Sequence, residues 1–107
     1  MQLERFTFVL LRRPSDAPDY PEERLHEIQE QHLAYLDELR ARGVLLLAGP
    51  FGEQPDESLR GFCLLTSDVD ETRELMASDP AIVAGRMVAD VMSWWTPRGS
   101  LPPSESS

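Results

Sequence analysis

A histidine stands at the centre of a regular apolar pattern in the segment HEIQEQHLAYLDEL, residues 26–39. The apolar residues of one helix face follow a three- and four-residue spacing: Leu25, Ile28, Leu36 and Leu39. His32 fills the step at which a leucine is the ordinary choice. A histidine on such a face either bonds both ring nitrogens inside the core or opens into a cavity. In a cavity, an unperturbed imidazole, with a pKa of about 6.5, accepts and returns a proton near neutral pH.

Asp79 is the second residue whose type and position could serve chemistry. It precedes Pro80, and an Asp before Pro is a common helix N-cap whose carboxylate accepts from the free amides of the next turn. A carboxylate has a second oxygen, which can bond one nitrogen of an imidazole, fix its tautomer and stabilise the imidazolium. One carboxylate can therefore fill both roles at once.

Three further residues are candidates for contact with a substrate. Gly49 and Pro50 end an apolar run, and a glycine there lets the chain pass close to a pocket. Arg12 and Arg13 end the first apolar run. They are either ordinary surface charge or, with Arg12 as our candidate, the anchor for a substrate carboxylate or phenolate.

Composition excludes several other functions. The net charge is −9, and an acidic surface repels nucleic-acid phosphates. The single cysteine, Cys63, lies in an apolar run and is expected to be a small core residue. Two histidines without metal-ligand spacing favour a site with no metal, although a carboxylate-assisted metal site stays a minor alternative. We find no phosphate loop, cofactor motif, secretory signal or membrane-spanning run, and therefore expect a cytoplasmic protein without cofactor or membrane partner.

Local patterns predict six main elements in the order strand, helix, strand, strand, helix, strand. The strands are expected at residues 3–12, 44–51, 60–66 and 86–95, and the helices at about 22–42 and 69–76, with a short turn at PAIVAG. Gly43 stops the first helix. The order predicts an α+β, ferredoxin-like βαββαβ fold, with a four-stranded antiparallel sheet and its helices on one face.

The strands FTFVLL, VLLLAG, FCLL and MVADVM are apolar on both sides. Two helices cover only one face of a four-stranded sheet, so the other face needs a cover that the chain lacks. Self-association as a homodimer through the open sheet face is the economical answer, and a large apolar ligand surface is the alternative. Residues 1–96 form the predicted domain, and the proline- and serine-rich residues 97–107 are predicted to be a disordered tail.

An ordered set of landmarks resembles the YCII-related family. The landmarks are, in chain order, His32-Leu33-Ala34-Tyr35-Leu36, Gly43, Leu47-Ala48-Gly49-Pro50, Gly61-Phe62, Asp79-Pro80 and Ala84-Gly85. The resemblance implies a ferredoxin-like fold that pairs into a dimeric α/β barrel, with an active site on His32 and Asp79. It also implies small, often aromatic substrates, because family members with an assigned role act on ring compounds by elimination or dehydrochlorination, and structural relatives include lactone isomerases.

Two functions remain open on these grounds. One is a cofactor-independent lyase or isomerase, with His32 as general acid/base and Asp79 orienting it. The other is a non-catalytic dimeric module that binds a small molecule or a protein in the same cleft.

Overall fold

The computed structural model of the chain describes residues 1–101 and contains seven elements. Four strands are present: β1 (Leu3–Arg12), β2 (Leu45–Pro50), β3 (Leu59–Leu65) and β4 (Val88–Pro97). Three helices join them: α1 (Glu22–Ala41), α2 (Val69–Ala77) and α3 (Pro80–Val83). The predicted element order is confirmed. The strand β4 starts and ends two residues later than expected, because its pairing with β1 continues to Leu3 opposite Pro97.

The four strands form one antiparallel sheet in the order β2-β3-β1-β4. The two central strands are β1 and β3, and the short connection from β2 to β3 makes a hairpin-like pair, as expected. This is the ferredoxin-like arrangement that the sequence predicted. A bulge between Leu11 and Arg12 shifts the pairing of β1 with β3 at one end of the sheet, and the irregularity lies beside the candidate site.

One face of the sheet is covered by helices. The buried residues of α1 are Ile28, His32, Leu36 and Leu39, so the predicted stripe faces the core with the histidine in it. The alternate residues Thr7, Val9 and Leu11 of β1 point to the same side and are buried. Gly43 has φ +76° and ends α1 as expected, because a residue with a Cβ is strained in that conformation.

The other face of the sheet carries large apolar side chains, and none of the helices formed by residues 1–101 covers it. The strand register places the following residues on this open face: Phe6, Phe8, Leu47, Phe62, Met92 and Trp94. Phe8 and Phe62 stack with ring centroids 5.3 Å apart. Leu47, Met92 and Trp94 are 45%, 42% and 41% exposed. The expectation that the strands are apolar on both sides is therefore confirmed.

Part of the predicted tail can be described. Pro97 closes β4, and the backbone amide of Arg98 donates to the carbonyl oxygen of Gln2 at 3.0 Å. Residues 102–107 lie outside the described residues, so the predicted disorder there stays a prediction. Within residues 1–101, none of the helices combines the length and the apolar composition needed to cross a bilayer.

Candidate active site

His32 and Asp79 meet in the buried layer between α1 and α3. Nδ1 of His32 lies 2.7 Å from Oδ2 and 2.9 Å from Oδ1 of Asp79. The histidine is 6% exposed and the aspartate 0% exposed. Since an ionised carboxylate only accepts hydrogen bonds, Nδ1 carries the proton and donates to it. The contact that the sequence analysis expected between these two side chains is present.

Asp79 serves as a helix cap at the same time. Its Oδ1 accepts a hydrogen bond of 2.9 Å from the amide of Ala81, and it is the N-cap of α3, with Pro80 as the first helical residue. This bond holds the carboxylate in a fixed orientation toward α1. The capping role and the histidine-binding role, which the sequence analysis expected one carboxylate to be able to fill together, are both filled by this side chain.

A cleft of about 430 Å³ opens beside His32. One wall is a stripe of α1: Gln29, His32, Leu33, Leu36, Asp37 and Arg40. The opposite wall is formed by residues 48–50 of β2 and 60–63 of β3, with Leu11 and Met87 completing the lining. Within residues 1–101, Nε2 of His32 has no hydrogen-bond partner, and it is not among the fully buried polar atoms without one. Nε2 is thus the ring nitrogen that a ligand in the cleft can reach.

This arrangement suits proton transfer. With Nδ1–H bonded to the carboxylate, the neutral imidazole presents the lone pair of Nε2 and can take a proton from a ligand. The resulting imidazolium is stabilised by the adjacent negative charge, and the proton can then be returned to another atom of the ligand. The pair could act as a general acid/base.

Two other ionisable groups close to the pair remain protonated. Burial raises the pKa of the Cys63 thiol to about 12, and the negative charge of Asp79 adds to this effect. Burial also raises the pKa of the Tyr35 phenol, whose hydroxyl donates to the carbonyl oxygen of Leu75 at 2.8 Å. Cys63 is 0% exposed, as expected of a core residue. Neither side chain offers an anionic nucleophile to the cleft near neutral pH.

Of the other three residues predicted to contact a substrate, two line the cleft and one does not. Gly49 and Pro50 line the cleft, facing α1 from the edge strand. Arg12 does not line it: its Nε donates to Asp90 at 2.7 Å, on the open face of the sheet. The reason is strand alternation, since Leu11 points toward the helices and Arg12 therefore points away from them.

Sequence reasoning missed three residues that shape the cleft. Arg40 and Arg60 are two positively charged residues of its lining. Gly61 lies where a Cβ would meet the carbonyl oxygen of Gly49 at 2.5 Å, so only glycine fits there. The helical spacing from His32 to Arg40 was a usable signal for Arg40. The positions of Arg60 and Gly61 depend instead on how β3 pairs with its neighbouring strands, which the sequence alone does not show.

A model of the YCII-related domain matches residues 7–95 of the chain. The chain belongs to the YCII-related family. His32 and Asp79 both fall within the matched region, as do Gly49, Pro50 and Gly61. No curated protein has a sequence that matches this YCII-related chain.

Solved structures of similar shape include a dehydrochlorinase. The 5-chloro-2-hydroxyhydroquinone dehydrochlorinase TftG from Burkholderia phenoliruptrix AC1100, in complex with 2,5-dihydroxybenzoquinone, is 26% identical, with a TM-score of 0.53 over 82% of this chain and 92% of that one. SnoaB, a cofactor-independent oxygenase from Streptomyces nogalater, is 19% identical, with a TM-score of 0.48 over 92% of this chain and 98% of that one.

Proposed function

We propose that this YCII-related protein is a cofactor-independent lyase or isomerase that acts on a small ring compound. His32 is its general acid/base, and Asp79 orients and stabilises the imidazole. The observation that carries the proposal is the bonding of His32: Nδ1 is held by a buried carboxylate at 2.7 Å, while the residue lines a cleft and, within residues 1–101, its Nε2 is neither bonded nor sealed. A structural histidine has no need of an open nitrogen beside a cavity.

The similarity to TftG supports the class of reaction. The two chains align over 92% of TftG at 26% identity, and dehydrochlorination is an elimination that requires removal of a proton from a ring compound. A cleft of about 430 Å³ is within the usual size range of small-molecule sites. Eliminations of this type need proton transfer and a place for the leaving group, which an imidazole–carboxylate pair and a cleft can supply.

Chloride release from 5-chloro-2-hydroxyhydroquinone tests the proposal. We expect catalysed release by the natural protein, and loss of at least 100-fold in kcat for His32→Gln, since general acid/base catalysis contributes about 10²–10⁴-fold. Asp79→Asn tests the charge of Asp79 with the helix cap kept, because asparagine caps a helix as well as aspartate does but carries no charge. His26→Gln is the matched control: His26 is exposed, and among the described residues it pairs only with Glu30.

The non-catalytic module is the other outcome of this experiment. If the natural protein binds this and related ring compounds but turns none of them over, a binding function is favoured. Equal turnover by the natural protein and His32→Gln would refute the role of His32.

We also propose a homodimer that buries the open face of the sheet. Three large apolar residues on this face, Leu47, Met92 and Trp94, are more than 40% exposed, beside the stacked pair Phe8 and Phe62. Light scattering at micromolar concentration should give the mass of a dimer. Met92→Glu should shift it toward the monomer, whereas Val83→Glu, at an exposed apolar position on α3, should not. A monomer in the natural protein would refute this proposal.

A further inference from the structure

The helix that Asp79 caps is too short to hold its own position. α3 is a single turn of four residues, Pro80–Val83, and a single hydrogen-bonded turn is unfavourable by itself, because it fixes several backbone angles for one bond. Its buried residue is Ala81, whose small side chain removes little apolar area from water. The orientation of α3, and with it the direction of the Asp79 carboxylate, therefore depends on contacts made outside the turn.

The loop between β1 and α1 makes such contacts with the residues that follow α3. The hydroxyl of Tyr20 donates to the carbonyl oxygen of Ala84, the C-cap of α3, at 2.7 Å. The guanidinium group of Arg86 donates to the carbonyl oxygen of Pro18 at 3.0 Å. Gly85, with φ +78°, lies between them, and a Cβ there would come within 3.2 Å of the ring of Pro18. These five residues (Pro18, Tyr20, Ala84, Gly85 and Arg86) form what we call the clasp.

The clasp connects the two helices that carry the catalytic pair. Tyr20 is half-buried and packs against the hydrophobic core, so its hydroxyl is held in place. It directly precedes Pro21, the N-cap of α1, and α1 carries His32. The carbonyl oxygens at the end of a helix have no partner inside it, and the hydroxyl of Tyr20 supplies one from the neighbouring helix. The end of α3 is thereby tied to the beginning of α1.

Both ends of α3 are thus bonded to α1 or to the loop that leads into it. At the first end, Asp79 Oδ2 lies 2.7 Å from Nδ1 of His32, and at the second end the bond comes from Tyr20. Met87, which follows the clasp directly, lines the cleft, and its amide donates to the carbonyl oxygen of Ala81 at 3.3 Å. A shift of the turn would therefore move the carboxylate and part of the cleft wall together.

We propose that Tyr20 is a positioning residue for the catalytic pair: its hydrogen bond fixes the end of α3, and thereby the distance and angle at which Asp79 accepts from His32. The inference rests on the proposed function, because it gives Tyr20 an effect on proton transfer by His32. Hydrogen bonds weaken steeply as their angle departs from linearity. A misplacement of about 1 Å, even by a change far from the chemistry, can lower a rate by about 10²-fold.

Tyr20→Phe tests the inference, because it removes the hydroxyl and keeps the ring in its packing. The first readout is the proton NMR signal of His32 Nδ1–H, which a carboxylate acceptor moves downfield and protects from exchange with water. We expect this proton to exchange about fivefold faster in the variant, the effect of losing one ordinary hydrogen bond. The second readout is chloride release from 5-chloro-2-hydroxyhydroquinone, in which kcat should fall about 10-fold while KM changes less than about twofold.

Thr7→Val is the matched control. The hydroxyl of Thr7 donates to the carbonyl oxygen of Ser67 in the core, so this variant also loses one hydroxyl bond to the backbone, at a position outside the clasp. It should lower Tm, as Tyr20→Phe should, and leave both kcat and the exchange of His32 Nδ1–H unchanged. Equal acceleration of the exchange in the two variants would reflect a general loss of stability and would overturn the positioning role.

Arg86→Met gives a second variant of the clasp if Tyr20→Phe fails to fold. Its bond to Pro18 lies at the surface and contributes less, so the exchange of His32 Nδ1–H should become about twofold faster. Unchanged exchange in this variant would then count against the clasp.

The outcomes separate this inference from the proposed function. If Tyr20→Phe leaves the His32 Nδ1–H signal or kcat unchanged in an active protein, the positioning role is overturned and the role of His32 stands. If the natural protein releases no chloride, the proposed function fails, and the NMR comparison alone judges the inference. Faster exchange in Tyr20→Phe than in Thr7→Val then supports the positioning of the pair by Tyr20, and equal exchange refutes it.

Discussion

Replacing Asp79 by alanine removes three contacts from the buried layer at once. Oδ1 no longer accepts from the amide of Ala81 at 2.9 Å, and Nδ1 of His32 loses both carboxylate oxygens, at 2.7 and 2.9 Å. The lost cap costs about 1 kcal/mol. A buried imidazole N–H left without an acceptor costs roughly 1–3 kcal/mol more. We therefore expect the free energy of unfolding to fall by about 3 kcal/mol.

Asp79→Asn separates the two contributions. Asparagine keeps the cap on α3 and still offers one oxygen to Nδ1–H, so the expected loss is about 1 kcal/mol. Urea unfolding monitored by the fluorescence of Trp94 and Trp95 measures both variants. Equal m-values among the variants would show that the differences reflect native-state stability.

A double-mutant cycle isolates the pair. His32→Leu restores an apolar stripe but leaves a buried carboxylate without its partner, so it should destabilise the protein. Combined with Asp79→Ala, the two effects should be less than additive by about 1–3 kcal/mol. A coupling below roughly 0.5 kcal/mol, the usual limit for independent sites, would refute the view that the two side chains act as one buried unit.

Three further predictions concern the cleft and its surroundings. In the folded protein the pKa of the Cys63 thiol is raised to about 12, whereas an unfolded thiol ionises near about 8.5. The stability contributed by keeping this thiol protonated is therefore complete below the unfolded pKa and declines as the pH rises above it. Between pH 8 and 10 the natural protein should lose about 2 kcal/mol more than Cys63→Ala; equal losses in urea titrations would contradict this. Gly61→Ala should cost about 1–3 kcal/mol through its contact with the Gly49 carbonyl and narrow the cleft, and unchanged stability with unchanged binding of 2,5-dihydroxybenzoquinone would argue against it. Elemental analysis of untreated protein should give far less than one transition metal per chain, and about one per chain would overturn the metal-free assignment.

The fold could be predicted because the local signals agree with one another. The stripe through Ile28, Leu36 and Leu39 specified the buried face of α1, and Gly43 marked its end. Strands that are apolar on both sides identified the open sheet face. The contact between His32 and Asp79 is different, since 47 residues separate them. It was expected from the resemblance to the family, and spacing along the chain alone would not have paired them.

The arginines show what sequence reasoning could not resolve. Arg12 is the last residue of β1 and points away from the helices by strand alternation, whereas Arg13 follows the strand. The run FTFVLL is apolar on both sides, so it gives no signal for which residue faces the helices. The bulge at Leu11/Arg12 also shifts the pairing of β1 with β3 at this end of the sheet. No feature of the sequence predicts that bulge. Whether Arg12 reaches the cleft therefore depended on tertiary structure, and so did the place of Arg60 in its lining.

Nitrogen NMR of the two imidazole rings tests the central claim most directly. The chain contains only His26 and His32, so the exposed His26 is an internal control in the same spectrum. We expect neutral His32 to carry its proton on Nδ1, and its Nε2 signal to shift on addition of 2,5-dihydroxybenzoquinone while the signals of His26 stay in place. A proton on Nε2 of neutral His32, or an Nε2 signal that does not respond to the bound ligand, would contradict the acid/base role.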